Sequence, residues 1–344
     1  MNTLRFVRRV SPPTGSSSLE PGGLADVERA MTRLAAPSPT IDRVGSMALE
    51  QLAGGGKRLR ARLALAAAET LGAARGAVPW AAAVELLHNA TLVHDDVQDG
   101  DRMRRGRPSL WVRHGVAQAL NAGNFLLMLP YAALAEVPAA ARGPLALVLA
   151  DHAIATVRGQ VAELELLPEE RTDWASWTDA AAGKTGAMFA LPIVGAALLA
   201  GRSLANATAL GEPFRDLGVL FQIYDDVLDL YGDKGRETAG SDLYEGKVSA
   251  LVVEHLVRRP SDRRWLLELL QTPRETTSRS AVMRASDAFV SSGALAGAVA
   301  RLEATAHRVL EAPVLAGEPG LRAIAAELVA RCRIVESERL EGVA

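Results

Sequence analysis

Two aspartate triplets set into apolar sequence constrain this chain more than any other feature. The first lies in AAAVELLHNATLVHDDVQDG, residues 81–100, and the second in GVLFQIYDDVLDLY, residues 218–231. Apolar residues recur at helical spacing in both, and Gly100 supplies a C-terminal stop, so Ala82–Asp99 reads as a helix. At about 100° per residue, Asp95, Asp96 and Asp99 fall within one arc, with His88 almost directly below Asp95. Asp225, Asp226 and Asp229 share an arc in the same way, and Gln222 joins them. Carboxylates gathered near a helix C-terminus repel one another and oppose the helix dipole. Cations relieve that conflict, and clustered carboxylate oxygens suit Mg²⁺. One such triplet is equally well an acidic helix end in water. Two of them, flanked by Leu, Val and Ile, are not, because buried charges need partners. Facing each other, they could hold several Mg²⁺ ions with a diphosphate between them.

The rest of the chain is that of a helical protein. Of its 344 residues, 49% are apolar and 4% aromatic. The excess is Ala and Leu, the strongest helix formers. From Leu24 onward, apolar-periodic segments alternate with Gly, Pro or polar breaks, giving about ten helices. No internal repeat and no second composition regime interrupts them. The expectation is an all-α fold in a single large domain over residues 23–344. Residues 1–22, rich in Pro, Gly and Ser, read as a disordered tail. A net charge of −2 supplies no field for nucleic acid. The lone cysteine, Cys332, can form no internal disulfide, which fits a reducing, cytoplasmic compartment. Arg5, Arg8 and Arg9 precede no apolar core of the kind a signal peptide has. The most apolar stretch, Ala187–Gly201, contains Pro192 and falls short of the roughly 18 residues of a membrane span. It reads as a buried, kinked helix, and no transmembrane segment is expected.

Basic residues stand where an anion would need them. Gly54-Gly55-Gly56-Lys57-Arg58-Leu59-Arg60 places a flexible turn before a helix that starts near Leu59. Lys57 and Arg60 can converge there on an anion, helped by free backbone N–H groups. Arg104 and Arg105 follow the first triplet by one short loop and can fork onto diphosphate oxygens. Lys184-Thr185-Gly186 interrupts an apolar helix, where a lysine must reach a partner. Lys247, in DLYEGKVSAL, offers a further positive charge. His94, His114, His152, His255 and His307 lack metal-ligand spacing and read as core or surface residues. Phe125, Met128 and Leu129 read as core.

In this order, GGKRLR, HDDVQD followed by RRGRPS, KTG, GVLFQIYDDVLD and GSDLYEGK resemble the polyprenyl diphosphate synthase family, which includes farnesyl and geranylgeranyl diphosphate synthases. The resemblance runs from Leu24 to near the C-terminus. It implies an isoprenoid synthase-like fold around a deep central cavity, and a homodimer. It also implies Mg²⁺-dependent, head-to-tail condensation of isopentenyl diphosphate with an allylic diphosphate. Asp95, Asp96 and Asp99 with Asp225 and Asp226 would bind about three Mg²⁺ ions, Asp229 completing the second triplet. By the same match, Lys57, Arg60, His88 and Arg105 resemble the isopentenyl diphosphate site. Arg104, Lys184, Thr185, Gln222 and Lys247 resemble the allylic side, with Arg104 and Lys184 placed to stabilise the leaving diphosphate.

Two positions depart from the family pattern. Many members carry a lysine shortly before the Gly-x-Asp that follows the second triplet; here Glu237 or Thr238 stands there, with Arg236 nearby as a compensating charge. A frequent aspartate in the helix after RRG is Asn124 here. Product length is a steric matter in such enzymes, set by aromatics four and five residues before the first aspartate. Those positions are Thr91 and Ala90, both small, so the floor for a farnesyl-length product is missing. Leu87, one turn deeper, and Phe125 in the next helix are the following blocks. The expected product is C20, geranylgeranyl diphosphate, with farnesyl or longer chains as alternatives. A class I terpene cyclase or head-to-head synthase would not need the second diphosphate site built from Lys57, Arg60 and Arg105. A non-catalytic subunit of a heteromeric synthase would be free to lose an aspartate cluster, and this chain keeps both.

Overall fold

Short polar side chains fix where many helices of this protein begin. Asp42, Asp173, Ser203, Ser249 and Ser278 each accept the backbone N–H three residues on. Each occupies a donor that a helix start leaves open. The computed structural model describes residues 3–9, 17–36, 42–167, 171–232 and 240–340. The first helices are α1 (Leu24–Ala35), α2 (Arg43–Ala53), α3 (Leu59–Thr70) and α4 (Ala77–Gln98). After them come α5 (Leu110–His114), α6 (Val116–Ala133), α7 (Ala139–Glu165) and α8 (Trp174–Ala181). A π-helical turn, Ala182–Gly186, joins α8 to α9 (Ala187–Leu199), and α10 (Leu204–Tyr231) is the longest of all. The set closes with α11 (Ser241–Tyr244), α12 (Ala250–Arg258), α13 (Arg263–Leu270), α14 (Arg279–Ser291), α15 (Ala294–Leu310) and α16 (Pro319–Arg331). The class is all-α, as composition implies.

At the centre stands α4, which packs against α1, α3, α6 and α9. It starts at Ala77, before the expected Ala82, with Pro79 in its first turn. A proline is tolerated there because that turn leaves its N–H groups unpaired anyway. Gly100 takes a left-handed φ of 69° just past its end, as the sequence suggests. Helix α9 is buried from Ala187 to Ala197 and packs against α3, α7 and α10. The first aspartate triplet thus sits at the end of α4 and the second in the last turns of α10.

Two helical stretches are long and apolar enough to span a membrane by length and composition, Ala139–Glu165 and Trp174–Leu199. The second exceeds the expected apolar stretch because α8 runs into α9 without a break. Its most apolar window is 72% buried, so contact with neighbouring helices accounts for its composition.

Strands are few. Thr3–Arg9 (β1) pairs antiparallel with Ile334–Leu340 (β4), in register from Thr3↔Leu340 to Arg9↔Ile334. Leu19 is fully buried. The disordered tail expected for residues 1–22 therefore gives way, in its described part, to a paired strand and an anchored leucine. Local composition could not signal a partner at the opposite end of the chain. Met103–Arg104 (β2) and Arg107–Pro108 (β3) form a hairpin. Its two turn residues, Arg105 at φ 52° and Gly106 at φ 75°, both take the positive φ that tight hairpins require.

Candidate active site

The ends of α4 and α10 face a cavity of about 360 Å³. It brings together Arg60, His88, Thr91, Asp95, Asp99, Arg104, Lys184, Thr185, Gln222, Asp225, Asp226 and Lys247, all singled out from sequence. Burial pushes the Asp95 carboxyl up to about 6, Lys184 opposing the shift and Asp99 adding to it. A carboxylate in that state gains from a nearby cation.

Asp96 and Asp229 do not line the cavity. Asp96 is buried against the hairpin, where Arg104 Nε donates to it at 2.6 Å. Asp229 accepts from Ser241 Oγ at 2.6 Å and from the Asp242 N–H at 3.0 Å, which fixes the start of α11. The shared arc does not bring them to the cavity, because an arc of about 100° also reaches neighbouring elements. Asp226 stands at the wall, accepting from Gln222 Nε2 at 2.9 Å and from the Ala250 N–H at 2.7 Å. Of the two triplets, Asp95, Asp99, Asp225 and Asp226 line the space.

Among the described residues, no group of three or more His, Cys, Asp or Glu side chains could hold a metal by itself. Mg²⁺ binds through one or two carboxylates and completes its shell with water and substrate phosphate oxygens, and Asp95, Asp99 and Asp225 offer such carboxylates. The residues present fit the ion in that mode.

Lys184 and Thr185 reach the cavity because of the π-helical turn that carries them. Glycines clamp the turn on both sides. A Cβ on Gly159 of α7 would lie 2.0 Å from the Lys184 backbone nitrogen, and one on Gly218 of α10 would lie 2.4 Å from Gly186 Cα. Backbones can approach so closely only where the residue at the contact carries no Cβ, as Gly159 and Gly218 do here. Thr185 Oγ1 donates to Gln222 at 3.2 Å, and Lys184 pairs with Glu163. Burial works against the Lys184 ammonium, but Glu163 and Asp95 outweigh it and raise its pKa. Lys247 is held between Asp99 at 3.0 Å and Glu245 at 2.9 Å.

On the other flank, Arg60 enters from the start of α3, its guanidinium 5.0 Å over the Phe189 ring. Its Nε is buried with no hydrogen-bond partner among the described residues. Burial, and then Arg60, Arg105, Arg104 and Arg58, hold the His88 pKa well below the usual histidine value, so the imidazole is neutral at pH 7. Lys57 and Arg105 are exposed and do not line this cavity. Arg105 donates to the Gly55 carbonyl, which ties the hairpin to the glycine turn.

Several residues of consequence escaped sequence reasoning. Arg58 is buried in a left-handed conformation, φ 50°, beside the buried Glu85 at 3.7 Å. Glu85 also accepts the Ala61 N–H at 3.1 Å, capping α3 from a neighbouring helix. Its signal was present as a lone carboxylate amid AAAVELL. Glu163, Glu245 and His94 also line the cavity. Of the proposed chain-length residues, Thr91 lines it, whereas Leu87 and Ala90 are buried in the core and Phe125 packs against that core. Asn124 is exposed on α6. Arg236, Glu237 and Thr238 lie outside the described residues.

Residues 42–288 match the family model for polyprenyl synthetase. The chain is 36% identical over 207 residues to a geranylgeranyl diphosphate synthase of Methanosarcina mazei, covering 58% of this chain and 63% of that one. It is 38% identical over 180 residues to a (2E,6E)-farnesyl diphosphate synthase of Mycobacterium tuberculosis, covering 52% of this chain and 50% of the relative. These matches span between half and two thirds of the relatives' own length. A solved polyprenyl synthase from Caulobacter crescentus, complexed with calcium and isoprenyl diphosphate, superposes with a TM-score of 0.80 at 27% identity, covering 93% of this chain and 98% of that one.

Proposed function

The chain belongs to the polyprenyl synthetase family, and from that membership we propose that it is a Mg²⁺-dependent trans-prenyltransferase joining isopentenyl diphosphate head to tail with an allylic diphosphate. The observation that carries the reading is one cavity in which Asp95, Asp99 and Asp225 stand among Arg60, Arg104, Lys184 and Lys247. Carboxylates for a metal and cations for phosphate oxygens are what two diphosphates and a divalent ion require together. The calcium and isoprenyl diphosphate bound by the Caulobacter protein support the same pairing.

Asp95, Asp99 and Asp225, with Asp226 at the wall, would hold Mg²⁺. Bound there, the ion would stabilise the charge that develops on the diphosphate as the allylic C–O bond breaks. Arg104, Lys184 and Lys247 share that charge on the protein side, and Thr185 and Gln222 orient the group. Arg60 and His88 hold the second diphosphate from the cavity wall, and Lys57 and Arg105 would reach it from the exposed side of the glycine turn. His88, kept neutral by burial first and then by the guanidinium groups around it, can donate one hydrogen bond without adding charge. The double bond of isopentenyl diphosphate attacks the allylic carbon, a C–C bond forms, and a proton leaves the carbon beside it. An oxygen of the released diphosphate takes that proton.

Geranylgeranyl diphosphate is the proposed main product. Thr91 on the cavity wall is small, and the Methanosarcina relative bears the name of that synthase. We place the enzyme in the cytoplasm, where Cys332 stays reduced, and as a homodimer. Leu147 and Ile154 on α7 and, on α6, Tyr131 and Met128 (the latter expected in the core from sequence) are exposed apolar side chains that a second copy could cover. Sedimentation would show a monomer if that face is not an interface. Incubating the protein with labelled isopentenyl diphosphate and each allylic primer, then sizing the products, tests the activity and the chain length together. A C15 or C30 product would correct the length and leave the reaction standing.

A further inference from the structure

Lys184 has a partner before any diphosphate arrives. Its ammonium pairs with Glu163 of α7, and both side chains line the cavity. Glu163 belongs to neither aspartate triplet, and among the described residues Lys184 is its one ion-pair partner. The other lysine of the wall differs in this respect. Glu245, which holds Lys247, is also paired with Arg274 at 3.2 Å and keeps a cation if Lys247 turns away.

The pair is not needed to place the lysine. Gly159 stands one helical turn before Glu163 on α7, and it fixes the π-helical turn from the backbone side. A Cβ there would lie 2.0 Å from the Lys184 nitrogen and 2.5 Å from the Gly183 carbonyl carbon. Backbone packing thus sets where Lys184 starts, and Glu163 decides what its ammonium faces. Among the described residues, eight carboxylates line the cavity against four arginines and lysines. An anion entering without metal therefore meets net repulsion. Glu163 adds to it, and its charge also opposes ionisation of Asp95.

We propose that Glu163 is a placeholder for the diphosphate, holding the Lys184 ammonium in the empty cavity and yielding it when metal and ligand arrive together. A diphosphate that takes Lys184 without metal leaves the Glu163 carboxylate uncompensated beside a second anion. With metal bound, the freed carboxylate can accept hydrogen bonds from hydrating water. Glu163 touches no reacting atom. It is a positioning residue that makes diphosphate binding depend on metal. The inference rests on the prenyl-transfer reading above, because it requires that Lys184 meet a diphosphate.

The probe is inorganic pyrophosphate, titrated calorimetrically into wild type, Glu163→Gln, Lys184→Gln and the double variant, from chelator through rising Mg²⁺. Glu163→Gln should lower the Mg²⁺ concentration for half-maximal binding by at least about fivefold, with helical content unchanged by circular dichroism. In the Lys184→Gln background the same change should have a smaller effect, because no ammonium remains to be released. A carboxylate that serves as a metal ligand would raise the midpoint, and one that only steadies the fold would leave it in place. Either result overturns the proposal. An equal shift in both backgrounds also overturns it, because simple repulsion does not require Lys184. Should Glu163→Gln fail to fold, Glu163→Ala is read in the same way, and failure of both to fold assigns the carboxylate a structural role instead. No pyrophosphate binding by wild type at any Mg²⁺ concentration would overturn the prenyl-transfer reading itself, whereas wild-type binding with an unshifted midpoint overturns this inference alone.

Discussion

Lys247 Nζ donates to Asp99 at 3.0 Å, joining the end of α4 to the segment after α11 across 148 residues of sequence. Asp99 is thus matched by a cation before any substrate or metal arrives. Removing one partner of a partly buried pair leaves the other charge without compensation. Lys247→Ala should therefore lower stability by about 1–3 kcal/mol in metal-free buffer. Added Mg²⁺ should recover part of the loss, since the ion can take the place of the ammonium beside Asp99. Urea unfolding with and without MgCl₂ measures both effects. Equal losses in the two buffers would show that Asp99 is not a metal ligand.

Lys57→Ala or Arg60→Ala should weaken isopentenyl diphosphate binding by about 1.5–3 kcal/mol, roughly 10- to 150-fold in KM. The KM for the allylic primer should change little. Arg60 should show the larger effect, because it lines the cavity while Lys57 is exposed. Equal losses for both substrates in steady-state kinetics would contradict the division of the site.

His88 carries a pH signature. Its pKa in the folded protein is held well below the usual value by burial first and by the surrounding arginines, Arg60 foremost. The unfolded chain therefore takes up a proton near pH 6.5 that the native protein refuses. Its stability contribution is full above that pH and is lost as pH falls below it. His88→Gln removes the term, so the stability gap between wild type and variant should shift in the variant's favour between pH 7.5 and pH 5.5. A gap independent of pH would show that His88 titrates normally.

Thr91→Phe should shorten the product, and more strongly than Ala90→Phe, because Thr91 lines the cavity and Ala90 is buried in the core. Leu87→Ala should lengthen it if the core behind Thr91 opens. Product sizing for the three variants checks the order, and an Ala90→Phe effect exceeding that of Thr91→Phe would move the floor of the pocket to the core side of α4.

What the sequence made legible was local. The aspartate triplets, the glycine turn before Arg60 and the break at Lys184 each declare themselves within a few residues, because helix periodicity and backbone interruptions are short-range signals. Partners across the fold were not legible. Helical spacing grouped Asp96 with Asp95, yet it could not foresee that Arg104 of the hairpin would take Asp96 out of the cavity. Likewise Ser241 and the Asp242 N–H claim Asp229. The ion pair of Glu163 with Lys184, the close packing of Gly123 on His94 and the pairing of β1 with β4 depend on packing between distant segments. Glycines at helix crossings carried the missing information, but without knowledge of which helices cross they read as weak points in a helix.

On the proposed reading, divalent metal held by carboxylates on both α4 and α10 drives prenyl transfer. Turnover of an allylic primer with isopentenyl diphosphate, measured with Mg²⁺ and with chelator for wild type, Asp95→Ala and Asp225→Ala, tests it most directly. Activity should vanish with chelator and fall at least about a hundredfold in each variant, with the helical fold intact by circular dichroism. Near-wild-type turnover in either folded variant, or undiminished turnover in chelator, would contradict it.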